Sequence, residues 1–243
     1  MHRFYAPPEN FDDGVITLNQ DEVRHLRDVL RMRGGESVHV FDGLGREYLC
    51  EISQVGRKEA GLRIIEEIDP ASAESPLELT LGAAILKGEK FDWVMQKAVE
   101  LGVTRLIPMI TTRCDVKLKD STKRADRWRK IALEASKQCG RARLMAVDEP
   151  LDFSEIVGRA SNEDTHGVTL LFSEREGSPL SAALTTRRVT ALIGPEGGWD
   201  DSELASARTS RIRIITLGGR ILRAETAAVA ISALLQNKFG DFN

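Results

Sequence analysis

The rhythm of apolar and polar positions changes near residue 70. Before it, short apolar runs at residues 15–18 (VITL), 37–41 (SVHVF) and 48–53 (YLCEIS) read as strands, with Gly34-Gly35 and Asp42-Gly43 as turn signals. Residues 21–32 read as a single helix. A small, mostly β barrel over residues 1–70 is the natural assembly of such pieces. Residues 69–76 (DPASAESP) combine two prolines, two alanines and two serines, the composition of an exposed connection, so residues 71–76 are taken as a linker. From residue 77 to 243 strand-like and helix-like segments alternate. Strands are predicted at 77–86, 103–110, 168–172, 189–193 and 212–217, and helices at 90–101, 121–138 and 226–239. Asp200 is placed to cap a further helix, with Glu203 completing a capping box. The fold class is therefore α/β, with a largely parallel sheet covered on both faces.

Two glycine-rich stretches interrupt this alternation at the carboxyl ends of predicted strands, where open α/β sheets bind ligands. One is Ile193-Gly194-Pro195-Glu196-Gly197-Gly198; the other is Leu217-Gly218-Gly219-Arg220-Ile221-Leu222-Arg223-Ala224-Glu225-Thr226. Their closeness in sequence suggests one shared pocket. Neither is a Walker loop, because the first ends Gly198-Trp199-Asp200 where Gly-Lys-Ser/Thr is required, and the glycine spacing is not that of a dinucleotide fold. In the second, Arg220, Arg223 and Glu225 bring charge to a helix start. Burying such charge costs several kcal/mol unless it is paired, so a polar pocket is the economical reading and an Arg223–Glu225 structural ion pair its alternative.

The net charge of −3 argues against a polyanion partner until its distribution is considered. Residues 113–143 carry eleven basic residues against four acidic ones, a net of +7, and Arg24, Arg27, Arg31 and Arg33 form a second basic cluster. Two basic surfaces on an acidic chain read as a polyanion footprint, with a solvated helix face as the alternative. The three cysteines are odd in number and scattered, which fits reduced thiols in a cytoplasmic protein, and no window approaches a membrane span. His2, His25, His39 and His166 show no metal-ligand spacing, so no metal is expected. Covalent catalysis also lacks a motif: Cys139 has no neighbouring histidine and Ser173 no nucleophile elbow. Trp93, inside an apolar helical stripe, is expected in the core.

At this point the chain resembles the SPOUT-class family of S-adenosylmethionine-dependent ribosomal RNA uracil-N3 methyltransferases. The resemblance rests on His25-Leu26-Arg27-Asp28-Val29-Leu30-Arg31-Met32 with Gly34-Gly35-Glu36, Lys87-Gly88-Glu89-Lys90, Gln96-Lys97-Ala98-Val99-Glu100-Leu101-Gly102-Val103 and Arg113-Cys114. It continues through Trp128, Ala132, Glu134-Ala135, Gln138-Cys139-Gly140-Arg141 and both glycine stretches, departing only at Gly219. It implies an N-terminal PUA-like β-barrel for RNA binding, a C-terminal SPOUT α/β domain with a trefoil knot, a homodimer, and 16S ribosomal RNA or the small ribosomal subunit as partner. It also implies that S-adenosyl-L-methionine is held by backbone groups around Leu171, Phe172 and Ser173, around Ile193, Gly194, Pro195, Glu196, Gly197 and Gly198, and around Leu217, Gly218, Ile221, Leu222, Thr226 and Ala227.

Methylation at N3 requires the uracil proton to leave, so the site needs a base or a positive group that favours the uracil anion. Arg223 is the first candidate for stabilising charge on a uracil carbonyl oxygen; Glu225 orients that arginine in the first instance, or accepts the proton. Because N3 lies on the Watson–Crick edge, the base must be unpaired or extruded, and RNA contacts must supply that energy. The expected phosphate contacts are Arg24, Arg27, Arg31, Arg33, Arg113, Lys123, Arg124 and Arg141. The competing readings are a non-catalytic RNA-binding ribosome-assembly factor and a related methyltransferase acting on another RNA.

Overall fold

A computed structural model describes residues 1–116, 121–162, 167–180 and 185–242. Lys117, Lys119 and Asp120 of the basic segment, and His166, lie outside the described residues. The chain divides into two compact units: residues 1–74 with 136–144, and residues 75–135 with 145–243.

The first unit is built on a six-stranded sheet. Its elements run β1 (Arg3–Tyr5), β2 (Phe11–Asp12), β3 (Val15–Leu18), α1 (Gln20–Arg24), β4 (Ser37–Phe41), β5 (Glu47–Val55) and β6 (Ala60–Ile68), in the sheet order β1-β4-β5-β6-β3-β2. Only the β1–β4 pair is parallel. Register shifts in β5 at Leu49/Cys50 and Ile52/Gln54 mark bulges, which bend a strand and increase its twist. The predicted helix over 21–32 is shorter and irregular: α1, capped by the Asn19 side chain, passes into a π-turn over His25–Val29, and Arg31 at φ 56° ends it. Alternate residues of the strands fill a core that includes Phe4, Ile16, Leu18, Val38, Val40, Ile52 and Leu62. Burial pushes the Cys50 thiol up to about 12, so this cysteine stays a protonated core residue.

The same unit contains a buried ionic centre. Arg3 donates from Nε and Nη2 to the two Glu47 carboxylate oxygens at 2.8 and 2.9 Å, and from Nη1 to the carbonyls of Ser136 and Lys137 at 3.0 and 3.2 Å. Glu47 is fully buried and also accepts from the Ala71 N–H. Burial alone would raise its pKa, but Arg3, the Ala71 N–H and His39 outweigh that and hold the carboxyl below its ordinary value.

The second unit continues with β7 (Glu78–Ala84), α2 (Lys90–Glu100), β8 (Arg105–Ile110), α3 (Ser121–Cys139), β9 (Ala146–Val147), β10 (Leu151–Asp152), α4 (Phe153–Asn162), β11 (Val168–Phe172), β12 (Arg188–Ile193), α5 (Asp201–Thr209), β13 (Arg213–Ile215) and α6 (Ala224–Phe239), although the last four residues of α3 count with the first unit. The sheet order is β10-β8-β7-β12-β11-β13, with β9 beside β8, and every pair is parallel. This is the predicted α/β class, with β9, β10 and α4 added to the predicted elements. The expected capping box is present: Asp200 accepts from Ser202 N–H, and Glu203 reaches back to Asp200 N–H.

Trp93 corrects an expectation. The buried stripe of α2 is Phe91, Val94, Met95, Ala98 and Val99, at spacings of three and four residues. Trp93 falls between these positions and is 42% exposed. Among the described residues no helix is long and apolar enough to cross a membrane.

Candidate functional site

Three neighbouring strands of the second unit end side by side. Phe172 of β11 is in register with Ile193 of β12 on one side and Ile215 of β13 on the other. Because the strands are parallel, the segments that follow them leave from the same edge. Together with the start of α6 they line a cleft of about 360 Å³, within the range of small-molecule sites. β12 lies between β7 and β11, so the chain order reverses here, the position at which open α/β sheets bind ligands.

The first segment begins with Phe172, Ser173 and Glu174. Ser173 N–H donates to Ile215 O at 2.9 Å, tying the first strand end to the third. The second segment supplies Ile193, Gly194, Pro195, Glu196, Gly198 and Trp199. Its turn is closed by Gly198 N–H donating to Pro195 O at 2.9 Å, and Gly198 sits at φ 68°, a left-handed conformation that favours glycine. The indole of Trp199 is buried and donates from Nε1 to Phe172 O at 2.8 Å, fixing the second segment against the first. Glu196 pairs with Lys90 at 3.1 Å. The third segment runs from Thr216 through Leu222. Gly218 and Gly219, at φ 68° and 76°, let it leave β13 abruptly and present backbone and the side chains of Leu217, Ile221 and Leu222, which are exposed.

The floor is closed by α6. Ala224, Ala227 and Ile231 line the cleft, and Arg223 stands at the helix N-cap in an extended conformation with no side-chain cap. The first N–H groups of a helix lack intrahelical partners and carry partial positive charge. Arg223, exposed at that end, adds a full positive charge. Glu174 and Glu196 are the two carboxylates of the lining.

Most of the expected cofactor residues are therefore gathered in one place. Phe172, Ser173, Ile193, Gly194, Pro195, Glu196, Gly198, Leu217, Gly218, Ile221, Leu222 and Ala227 line the cleft, whereas Leu171, Gly197 and Thr226 do not. Leu171 is fully buried within the strand. Of the two catalytic candidates Arg223 lines the cleft and Glu225 does not. No ion pair joins them among the described residues, so the structure does not show Glu225 orienting Arg223; its Oε2 is instead buried without a hydrogen-bond partner. Gly219, Arg220 and Ala224, within the second glycine stretch, line the cleft as well, whereas sequence reading missed Glu174, Trp199, Ile215, Thr216 and Ile231. All but Ile231 adjoin a recognised motif; Ile231, two turns into α6, carries no local signal.

Arg24, Arg31, Arg33, Lys123 and Arg124 are exposed, and Arg27 donates from Nε and Nη2 to the Asp28 carboxylate at 2.7 and 2.9 Å. Arg141 is corrected: it is 3% exposed, and its Nε and Nη2 donate to the Glu74 carboxylate at 3.1 and 2.7 Å. A buried guanidinium held by a carboxylate is a structural group and not a phosphate contact. Lys137 likewise pairs with Glu22, Arg127 with Asp92, and Arg129 with Glu149. Much of the +7 counted along residues 113–143 is thus answered by carboxylates of the protein. Arg113 turns toward the cleft loop, donating to Gly197 O at 3.2 Å.

Comparison with known proteins adds to this geometry. A family model described as an RNA methyltransferase domain matches residues 73–236, and one described as an RNA methyltransferase PUA domain matches residues 18–65. Ribosomal RNA small subunit methyltransferase E of Synechocystis is 32% identical over 243 residues, covering 97% of this chain and 78% of the relative. The protein of that name from Bacillus subtilis is 31% identical over 229 residues, covering 90% of this chain and 89% of the relative. A crystal structure of Ribosomal RNA small subunit methyltransferase E from Neisseria gonorrhoeae, bound to S-adenosyl methionine, superposes with a TM-score of 0.89 at 35% identity over 100% of both chains.

Proposed function

The chain belongs to the ribosomal RNA small subunit methyltransferase E family, and from that premise we propose that it transfers a methyl group from S-adenosylmethionine to N3 of one uridine in 16S ribosomal RNA. The observation that carries this reading is the convergence of the three strand-end segments and the α6 N-terminus on a single cleft.

The lining suits such a donor. Phe172, Ile193, Leu217, Ile221 and Leu222 offer apolar surface for a flat base, while the glycine turns at 194–198 and 218–219 bring backbone donors and acceptors close. When bound, the donor supplies an electrophilic methyl carbon. The protein's own tasks are to expose N3, to help remove its proton and to stabilise the charge that follows. Arg223, beside the positive end of α6, is positioned to stabilise negative charge on a uracil carbonyl oxygen. Glu225 lacks any pairing with Arg223, and its unengaged oxygen keeps its acceptor capacity. Because Glu225 does not line the cleft, it is given no part in removing the uracil proton, and the charge-stabilising role rests on Arg223.

RNA contacts fall to Arg24, Arg27, Arg31 and Arg33 in the first unit and to Lys123 and Arg124 on α3. The reading includes a cytoplasmic homodimer and a trefoil knot in the second unit; a strand order that sets β12 between β7 and β11, with β13 beyond β11, supports a chain that doubles back at the cleft.

Calorimetric titration with S-adenosylmethionine tests the cleft assignment. Saturable binding is expected, and Gly218→Val, which forces a β-branched residue to φ 68°, is expected to weaken it at least fivefold, because left-handed backbone costs about 1–2 kcal/mol for such residues. Equal affinity in the two proteins would remove the third segment from the site.

A further inference from the structure

The segment that follows β8 lines no part of the cleft, yet it is bonded to the loop that does. Thr112 N–H donates to Glu203 Oε1 at 2.8 Å, while the other oxygen of that buried carboxylate accepts from Asp200 N–H at 2.9 Å. Arg113 adds two further links: Nη1 donates to Gly197 O at 3.2 Å, and Nη2 lies 3.3 Å from Asp200 Oδ2. We infer that Arg113 is a positioning residue for the methyl-donor loop, holding the Pro195–Gly198 turn from behind, and that it is not a contact to RNA phosphate. The inference rests on the reading of the cleft as a donor site.

The physical route runs through one peptide. Gly197 O, which accepts from Arg113, belongs to the same peptide unit as Gly198 N–H, which closes the turn onto Pro195 O. A hydrogen bond to the carbonyl of a peptide polarises its N–H, so the Arg113 contact strengthens the turn bond beyond it. The turn consequently presents Pro195, Glu196 and Gly198 to the cleft in one conformation. The Gly197 side of the loop is also closely packed: a Cβ there would meet Arg113 Cβ at 3.2 Å. On its other side Arg113 is held by Asp200, which is fixed in turn by the Ser202 hydroxyl and N–H at the start of α5. Both hydrogen-bonding ends of the guanidinium are thereby engaged within the protein, an arrangement that suits a forked donor and not a single ammonium.

The test compares three proteins: the unaltered chain, Arg113→Ala and Arg113→Lys. For each, the S-adenosylmethionine Kd is measured by calorimetry, and the affinity for small-subunit ribosomal RNA is measured across a salt series. With Arg113→Ala, donor Kd is expected to rise roughly fivefold, the effect of one charge-assisted hydrogen bond discounted for a partly exposed partner. The log–log salt slope for RNA is expected to stay at its unaltered value, roughly −4 to −5 if about six phosphates are neutralised. Lysine keeps the charge and loses the fork, so it is expected to leave RNA behaviour unchanged and to restore donor affinity only in part. Unchanged donor affinity together with a salt slope shallower by about 1 would make Arg113 a phosphate contact and overturn the inference. Glu203→Gln provides a second probe should Arg113→Ala fold poorly: it strands one of the two N–H groups on the same loop brace and is expected to weaken donor binding in the same direction. Donor affinity unchanged in that variant also counts against the brace. Failure of the unaltered chain to bind the donor would instead overturn the donor reading, and the inference with it.

Discussion

Arg223→Ala is expected to lower kcat by about 10²–10³-fold at saturating donor and RNA, with donor Kd changed by less than about twofold. The size follows from what the guanidinium faces. It stands at the rim of the cleft, is exposed, and has no carboxylate partner among the described residues, so its charge is not spent on the fold. Removing the side chain leaves α6 intact, because the helix is started by Arg223 through its backbone: Ala227 N–H donates to Arg223 O at 2.8 Å. The loss therefore falls on the transition state, where negative charge develops on the uracil, and not on the assembled site. Arg223→Lys should recover only part of the rate, since an ammonium supplies charge without the planar fork. Single-turnover kinetics resolves this. A kcat within threefold of the unaltered value in Arg223→Ala would remove Arg223 from the chemistry.

The second large effect concerns stability. Glu47→Gln should destabilise the first unit by about 3–5 kcal/mol, because it leaves the Arg3 guanidinium buried beside a neutral amide. Arg3 is 10% exposed and gives its remaining donors to the Ser136, Lys137 and Arg141 carbonyls at the end of α3, a favourable place for a cation. Total domain stability is on the order of 5–15 kcal/mol, so a loss of this size is a large fraction of it. Denaturant midpoints measure it, and a change below about 1 kcal/mol would contradict the buried-charge account. The pH dependence follows from the direction of the Glu47 shift. Its folded-state pKa lies below the ordinary value of 4.5, so its contribution is present above that pH and is lost as pH falls through the lower folded value. The unaltered protein should thus lose stability more steeply in acid than Glu47→Gln does.

What the sequence made legible was local. The strands around 168–172 and 189–193 and the capping box at Asp200 are marked by nearby residues, and the glycine stretches announce themselves by composition, so the cleft was largely readable in advance. What escaped was set by distant partners. Counting charge along residues 113–143 does not show that Arg141 meets Glu74, Arg127 meets Asp92 or Lys137 meets Glu22, at separations of 67, 35 and 115 residues. Arg113 likewise meets Gly197 and Asp200, 84 and 87 residues away. The short strands β9 and β10, two residues each, offer too little periodicity to register, and Trp93 was assigned to the core although it lies off the buried stripe of its helix. Glu225 shows the same limit at the site itself, since proximity to Arg223 in sequence did not become an ion pair.

Methyl-labelled S-adenosylmethionine, incubated with this protein and small ribosomal subunits that lack its modification, provides the most direct test. Digestion to nucleosides and mapping should place the label on N3 of one uridine of 16S ribosomal RNA. Label on another atom or another RNA, or no label in RNA despite saturable donor binding, would contradict the assigned reaction; the last result would identify a ribosome-assembly factor that keeps the fold without the chemistry.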